Sequence, residues 1–209
     1  MTHDTAGVLL AGGLSRRMGG GDKCLRPLAG KPILTHILDR VRPQVGALVL
    51  NANGDPARFD SFGLPVVADT VEGFAGPLAG VLSGMEWAVQ NASDCIWLAS
   101  FPTDAPFLPR DLVERLRAAV DRDGADMACA RSGGRTHPVV GLWPVRLAAD
   151  LRRAMVDEEI RKVDVWTARY ALSVVDFETD PFDPFFNANR PADLEAAERL
   201  LARPEGSGS

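Results

Sequence analysis

Val8-Leu9-Leu10-Ala11-Gly12-Gly13-Leu14-Ser15-Arg16-Arg17-Met18-Gly19-Gly20-Gly21-Asp22-Lys23 is the stretch on which the reading of this chain turns. Gly7 to Ala11 opens it as an apolar run, the pattern of a strand buried on both faces. The strand empties into a loop with five glycines, two arginines and a lysine. Glycine lets the backbone approach a ligand and present successive N–H groups to it. The cations neutralise what those groups hold, a combination that suits a polyanion such as a nucleoside triphosphate. The loop is neither G-x-x-x-x-G-K-[ST] nor G-x-G-x-x-G. Its glycine pair leaves the strand directly, and its lysine comes ten residues later.

Downstream, β-type runs alternate with helical patterns. Ile33, Leu34, Ile37, Leu38 and Val41 fall at helical spacing, followed by strands at Ala47 to Leu50 and Leu64 to Ala68. A helix from Leu78 to Val89 carries Leu78, Val81, Leu82, Met85 and Val89 on one face. Further strands are expected at 95–99, 125–130, 138–143 and 172–177, and helices at 111–120, 158–170 and 192–201. Uniformly apolar early strands separated by helices predict an α/β fold, a three-layer sandwich around a Rossmann-like, mostly parallel sheet. One domain is expected over residues 1–203, with a polar, flexible tail over 204–209. In such sheets ligands sit beyond the carboxyl ends of the strands.

The 209 residues are 46% hydrophobic and 24% charged, ordinary values for a globular chain. A net charge of −5 argues against a general nucleic-acid binder. The positive charge is local: from Ser15 to Lys31, five cations stand against Asp22 alone. Cys24, Cys95 and Cys129 form no C-x-x-C pair and fit a reducing compartment. No apolar run approaches the roughly 20 residues of a spanning helix, and the first residues lack the pattern of a signal peptide. The cytoplasm, without membrane attachment, is the expected location.

The remaining candidates follow strands. Asn51-Ala52-Asn53 ends the second strand and Asp69 follows the third. Each suits a turn or cap as well as a sugar or base contact. Gly76-Pro77-Leu78-Ala79-Gly80 opens a helix, with Pro77 in its first turn and flanking glycines that leave room for a flat ring. Phe101-Pro102-Thr103-Asp104-Ala105-Pro106 puts a carboxylate after the fourth strand, where it could hold Mg²⁺ completed by water and phosphate oxygens. Arg131, Arg135 and His137 form a basic group near Gly133-Gly134 that suits a second anion. Asn187-Ala188-Asn189 precedes Arg190-Pro191 and the last helix.

Taken together, Leu10-Ala11-Gly12-Gly13-x-Ser15-x-Arg17-Met18-Gly19 with Asp22-Lys23, Asn51-Ala52-Asn53, Asp69, Gly76-Pro77-Leu78-Ala79-Gly80, Pro102-Thr103-Asp104 and Asn187-x-Asn189-x-Pro191 resembles, in order, the molybdenum cofactor guanylyltransferases. The opening motif alone is similar to that of nucleotidyltransferases at large. The resemblance covers residues 6 to 201 and implies the nucleotide-diphospho-sugar transferase fold. It implies GMP transfer from GTP to Mo-molybdopterin with Mg²⁺ and release of pyrophosphate, the neighbouring alternative being a cytidylyltransferase or another nucleotidyltransferase with a different phosphorylated acceptor. By position, Leu10, Ala11, Gly12 and Gly13 would contact the nucleotide, Lys23 its phosphates, Asn51 and Asp69 the guanosine, and Asp104 both nucleotide and metal. Arg17, Lys23 and Asp104 are the catalytic candidates. Arg131, Arg135, His137, Asn187 and Asn189 are candidates for the pterin, and apo-molybdoenzymes or their chaperones for downstream partners. Two departures are mild: the triple glycine at 19–21, and Thr103 where relatives often have cysteine.

The chemistry this implies needs no general base. The attacking phosphate oxygen is largely ionised at neutral pH, since a phosphate monoester's second pKa is about 6. What two meeting anions require is electrostatic stabilisation.

Overall fold

The computed structural model describes residues 3–11, 22–73 and 76–201. Gly12, Gly13 and Arg17 lie outside the described residues, as does the tail from residue 202 onward.

The chain runs β1 (Thr5–Leu10), β2 (Pro27–Leu28), β3 (Lys31–Pro32), α1 (Ile33–Val41), β4 (Ala47–Asn51), β5 (Val66–Val67), α2 (Pro77–Asn91), β6 (Trp97–Pro102), α3 (Leu112–Asp123), β7 (Met127–Ser132), β8 (Arg135–Pro144), α4 (Ala148–Val156), α5 (Val163–Thr167), β9 (Leu172–Phe177) and α6 (Pro191–Leu201). Seven strands form one sheet in the order β5-β4-β1-β6-β8-β7-β9, and β2 pairs with β3 in a separate hairpin. Within the seven-stranded sheet β8 is antiparallel to its neighbours β6 and β7, while every other pair is parallel. The start of β8 therefore meets the carboxyl ends of the other strands. That single reversal brings Arg135 and His137 to the edge where Leu10, Asn51 and Pro102 end their strands.

Strand alternation divides the core into two layers. Val8 of β1, Val49 of β4 and Leu98 of β6 face Leu78, Leu82 and Met85 of α2 and Leu151 of α4. Leu9, Leu50, Ala99 and Phe101 face the opposite way, toward Ile33, Leu34 and Ile37 of α1 and Leu112 and Leu116 of α3. Each such fully buried aliphatic side chain stabilises the fold by about 1.5–3 kcal/mol relative to exposure. The two layers with the sheet between them are the expected three-layer α/β sandwich.

Helix α2 lies nearly flush on the sheet. A Cβ at Gly84 would stand 2.7 Å from Val8 Cβ, and one at Gly80 would stand 2.6 Å from Leu10 Cδ2 and 2.5 Å from Asn51 Oδ1. Gly80 thus serves helix–strand packing rather than the approach of a ring. Pro77 does occupy the first helical turn.

Three expected elements differ. The helix expected over 158–170 is confined to Val163–Thr167, and Ala148–Val156 forms the longer helix instead. Glu159 takes φ +54°, a left-handed conformation incompatible with a continuing helix, while Leu151, Ala154 and Met155 supply the buried face of α4. β6 extends through Pro102, so Thr103 and Asp104 follow the strand immediately. β8 begins at Arg135, three residues before the expected Pro138. Its pairing with β7 shifts between Cys129 and Ala130: Cys129 faces Gly141 and Ala130 faces His137. Residues 138–140 are looped out of the ladder there, which suits Pro138, whose nitrogen carries no proton to donate.

Candidate active site

The carboxyl edge of the sheet holds a cleft of about 290 Å³. Its floor is Leu10 and Ala11 from the end of β1 and Pro102, Thr103 and Asp104 from the end of β6. Lys23, Arg135, His137, Phe185 and Asn187 complete its border. The looped-out Pro138, Val139 and Val140 supply an apolar wall.

Backbone and side-chain bonds fix this floor. Thr103 Oγ1 donates to the Leu10 carbonyl at 3.0 Å, tying the ends of β6 and β1 together. The Ala11 N–H donates to the Asn51 carbonyl at 2.9 Å, which aims the chain into the first loop. The Ala188 N–H donates to the Asp104 carbonyl at 2.8 Å. Lys23 Nζ donates to Asn189 Oδ1 at 3.0 Å. The segment before α6 is in turn held by Asp193, whose Oδ2 accepts from the backbone N–H groups of Asn189 and Arg190. Residues from the two ends of the sequence thus meet around one carboxylate.

Burial pushes the Asp104 carboxyl above the usual carboxylate range, and the Lys23 ammonium only partly offsets it. A buried carboxylate with incomplete charge compensation is suited to a cation. Among the described residues no three His, Cys, Asp or Glu side chains cluster as a ready-made metal site. The donor set is a single carboxylate facing an open cleft, which fits Mg²⁺ because that ion keeps several waters and substrate phosphate oxygens in its shell.

A second cluster stands at the ends of β4 and β5. Asn51, buried, donates from Nδ2 to Asp69 Oδ1 at 3.0 Å and to the Val67 carbonyl at 3.3 Å. Asn53 donates to Asp69 Oδ2 at 2.8 Å and accepts the Asp69 N–H at 2.9 Å. Both Asp69 oxygens are therefore held in place by amides. The amide group of Asn51 is spent on this support, so Asp69 and Asn53 are the parts of the cluster nearer solvent. Arg58, which sequence reading did not single out, links the cluster to the first loop. Its Nε lies 2.5 Å from Asp22 Oδ2, and its Nη2 donates to the Asn53 carbonyl at 2.5 Å.

Elsewhere in the lining, His137 packs against the Phe185 ring, with centroids 4.6 Å apart. Its Nε2 lies 2.7 Å from Ser132 Oγ, which donates to Asp183 Oδ1 at 2.8 Å. Burial lowers the His137 pKa. Arg131 stands apart from the cleft: it forms a two-pronged pair with Asp176 of the neighbouring strand β9 at 2.5 and 2.6 Å. The basic trio expected there is therefore a pair, Arg135 and His137. No sequence motif marks Ser132, Asp183 or Phe185, whose roles arise from tertiary contact.

A buried carboxylate and a lysine at the carboxyl edge of the parallel strands, with a glycine- and arginine-rich stretch between Ala11 and Lys23 in the sequence, are the parts a nucleotidyltransferase needs. Residues 7–170 match the family model described as the MobA-like NTP transferase domain. Two relatives, each a molybdenum cofactor guanylyltransferase, align over nearly the whole length. That from Rhodopseudomonas palustris is 57% identical, covering 95% of both chains. That from a Bradyrhizobium strain is 58% identical, covering 96% of this chain and 95% of its own. The crystal structure of molybdopterin-guanine dinucleotide biosynthesis protein A from Archaeoglobus fulgidus shares the fold at TM-score 0.70 and 23% identity, over 94% of this chain and 98% of that one. The chain belongs to the molybdenum cofactor guanylyltransferases of the MobA-like NTP transferase family.

Proposed function

We propose that this protein transfers GMP from GTP to Mo-molybdopterin, releasing pyrophosphate and forming molybdopterin guanine dinucleotide, with Mg²⁺ as its metal. The observation that carries the reading is the convergence of Lys23 and Asp104 on the floor of the cleft, between the ends of β1 and β6.

Lys23 and Arg17 bind the triphosphate and lower the cost of charge building on the departing pyrophosphate. Asn189 orients the Lys23 ammonium. Leu10, Ala11, Gly12 and Gly13 offer backbone to the nucleotide, and Asp69, braced by Asn51 and Asn53, meets the guanosine. Asp104 would hold the metal, which would supply positive charge to stabilise the reacting phosphates. Arg135, His137 and Asn187 also line the cleft, and the acceptor's pterin and phosphate would lie against them. Arg131 and the side chain of Asn189 contribute at most through neighbours. The attacking phosphate oxygen needs no proton removed, so no residue is assigned as general base. Divalent-metal use is common to this chemistry, and the absence of a long apolar helix among the described residues accords with work in the cytoplasm. Apo-molybdoenzymes or their chaperones would receive the product.

Thermal melting with each nucleotide, with and without Mg²⁺, tests the assignment. GTP with Mg²⁺ is expected to raise the melting temperature more than CTP does. Stabilisation by CTP alone would replace the base assignment with the cytidylyl alternative.

A further inference from the structure

His137, in the lining of the cleft, belongs to a hydrogen-bond chain that the transfer reaction itself does not use. Asp183 Oδ1 accepts from Ser132 Oγ at 2.8 Å and from the Phe185 N–H at 2.9 Å. Ser132 is buried, and its Oγ also lies 2.7 Å from His137 Nε2. A carboxylate only accepts, so the single Ser132 proton goes to Asp183. Ser132 Oγ then has only lone pairs to offer His137, and Nε2 must be the nitrogen that carries the ring proton. Nδ1 is left as an acceptor, and among the described residues it has no hydrogen-bond donor. Phe185 packs against the ring, with centroids 4.6 Å apart and the planes tilted by 40°. Arg135 stands beside His137 and Asp183 behind it, so the charges around the ring are of both signs.

We propose that Ser132 and Asp183 are positioning residues that fix His137 as a hydrogen-bond acceptor, and that His137 Nδ1 receives an N–H from the heterocycle of the acceptor substrate. The inference rests on the guanylyl-transfer reading, because a pterin offers ring N–H and amino donors whereas a phosphosugar offers none of that kind. It also gives this part of the lining a task distinct from anion binding: Arg135 meets charge, and His137 reads the ring.

Two measurements test it. Long-range ¹H–¹⁵N correlation spectra of the free protein, which has three histidines, report the His137 tautomer without any substrate. The Nε2–H form is expected in the parent protein and a mixture in Ser132→Ala, with Ser132→Thr retaining the parent form. Steady-state assays with Mo-molybdopterin should then show Ser132→Ala raising the acceptor KM about tenfold, the effect of one hydrogen bond, with the GTP KM unmoved. An Nδ1–H tautomer in the parent protein, or an unchanged acceptor KM in Ser132→Ala, overturns the proposal. Absence of turnover in the parent protein with this acceptor overturns the guanylyl-transfer reading and the ring contact with it, while the tautomer result would still report whether Ser132 and Asp183 set the histidine.

Discussion

Lys23 and Asn189 are 166 positions apart, yet Nζ of the one donates to Oδ1 of the other at 3.0 Å. The contact joins the end of the first loop to the entrance of the last helix, across the carboxylate of Asp104. It makes Lys23 a directed cation rather than a free one. Lys23→Met is expected to cut the rate about 10²-fold or more, by comparison with other lost electrostatic stabilisers. Asn189→Ala, which keeps the charge but releases it, should cost about five- to tenfold. Pyrophosphate release measured under saturating GTP separates the two.

Asp104 should show opposite effects on activity and stability. Below its ordinary value of 3.8, the carboxyl is protonated in folded and unfolded chains alike, and burial carries no penalty of charge. Because burial raises the folded-state value, the unfolded chain loses its proton first as pH rises, and stability falls through that interval. Asp104→Asn removes this cost. The variant is expected to melt above the parent protein at neutral pH and level with it in acid, while its turnover drops about 10²-fold or more. Calorimetry across pH, paired with activity, checks both halves.

The two close-packed glycines of α2 differ in what lies beneath them. Gly84→Ala forces a methyl against Val8, and overpacking of this kind costs about 1–3 kcal/mol. Denaturant unfolding should show that loss with the GTP KM unchanged. Gly80→Ala carries a similar cost, but its methyl meets Asn51, the brace of Asp69. It should therefore also raise the GTP KM, which a titration of rate against GTP would show.

Arg58 holds Asp22 and the Asn53 carbonyl at once, so it couples the phosphate loop to the cluster around Asp69. Arg58→Met keeps an apolar stem beside Phe59 and loses the guanidinium with its bonds. The expected outcome is a GTP KM raised about tenfold, in line with two lost charge-assisted contacts on a half-exposed group, with melting little changed.

Much of this arrangement is legible in the sequence because it is local. The apolar runs at residues 7–11 and 47–50, and the helical spacing at 33–41, each carry their own period, so the parallel half of the sheet follows from pattern alone. Asp104 is legible because a carboxylate after a central strand points to the ligand edge whatever the rest of the chain does. The reversal of β8 is a different matter. Neither Arg135 nor His137 says which way its strand runs, and only the pairing with β6 and β7 brings them to the cleft. Helix α4 escapes notice because its buried face is short and half alanine, with Ala148, Leu151, Ala154 and Met155. Gly80 misleads for a similar reason: a glycine that makes room for Asn51 and one that makes room for a ring look alike. Arg58, Ser132 and Asp183 carry no motif, since their partners are set by tertiary contact.

The most direct test follows label from the nucleotide. GTP and CTP, each labelled at the α-phosphate, are offered in parallel to the purified protein with Mo-molybdopterin and Mg²⁺. The label of GTP is expected to move to the pterin product in step with pyrophosphate release, with little transfer from CTP. Transfer from CTP in preference to GTP, or pyrophosphate release with no label on the pterin, would contradict guanylyl transfer by this cleft.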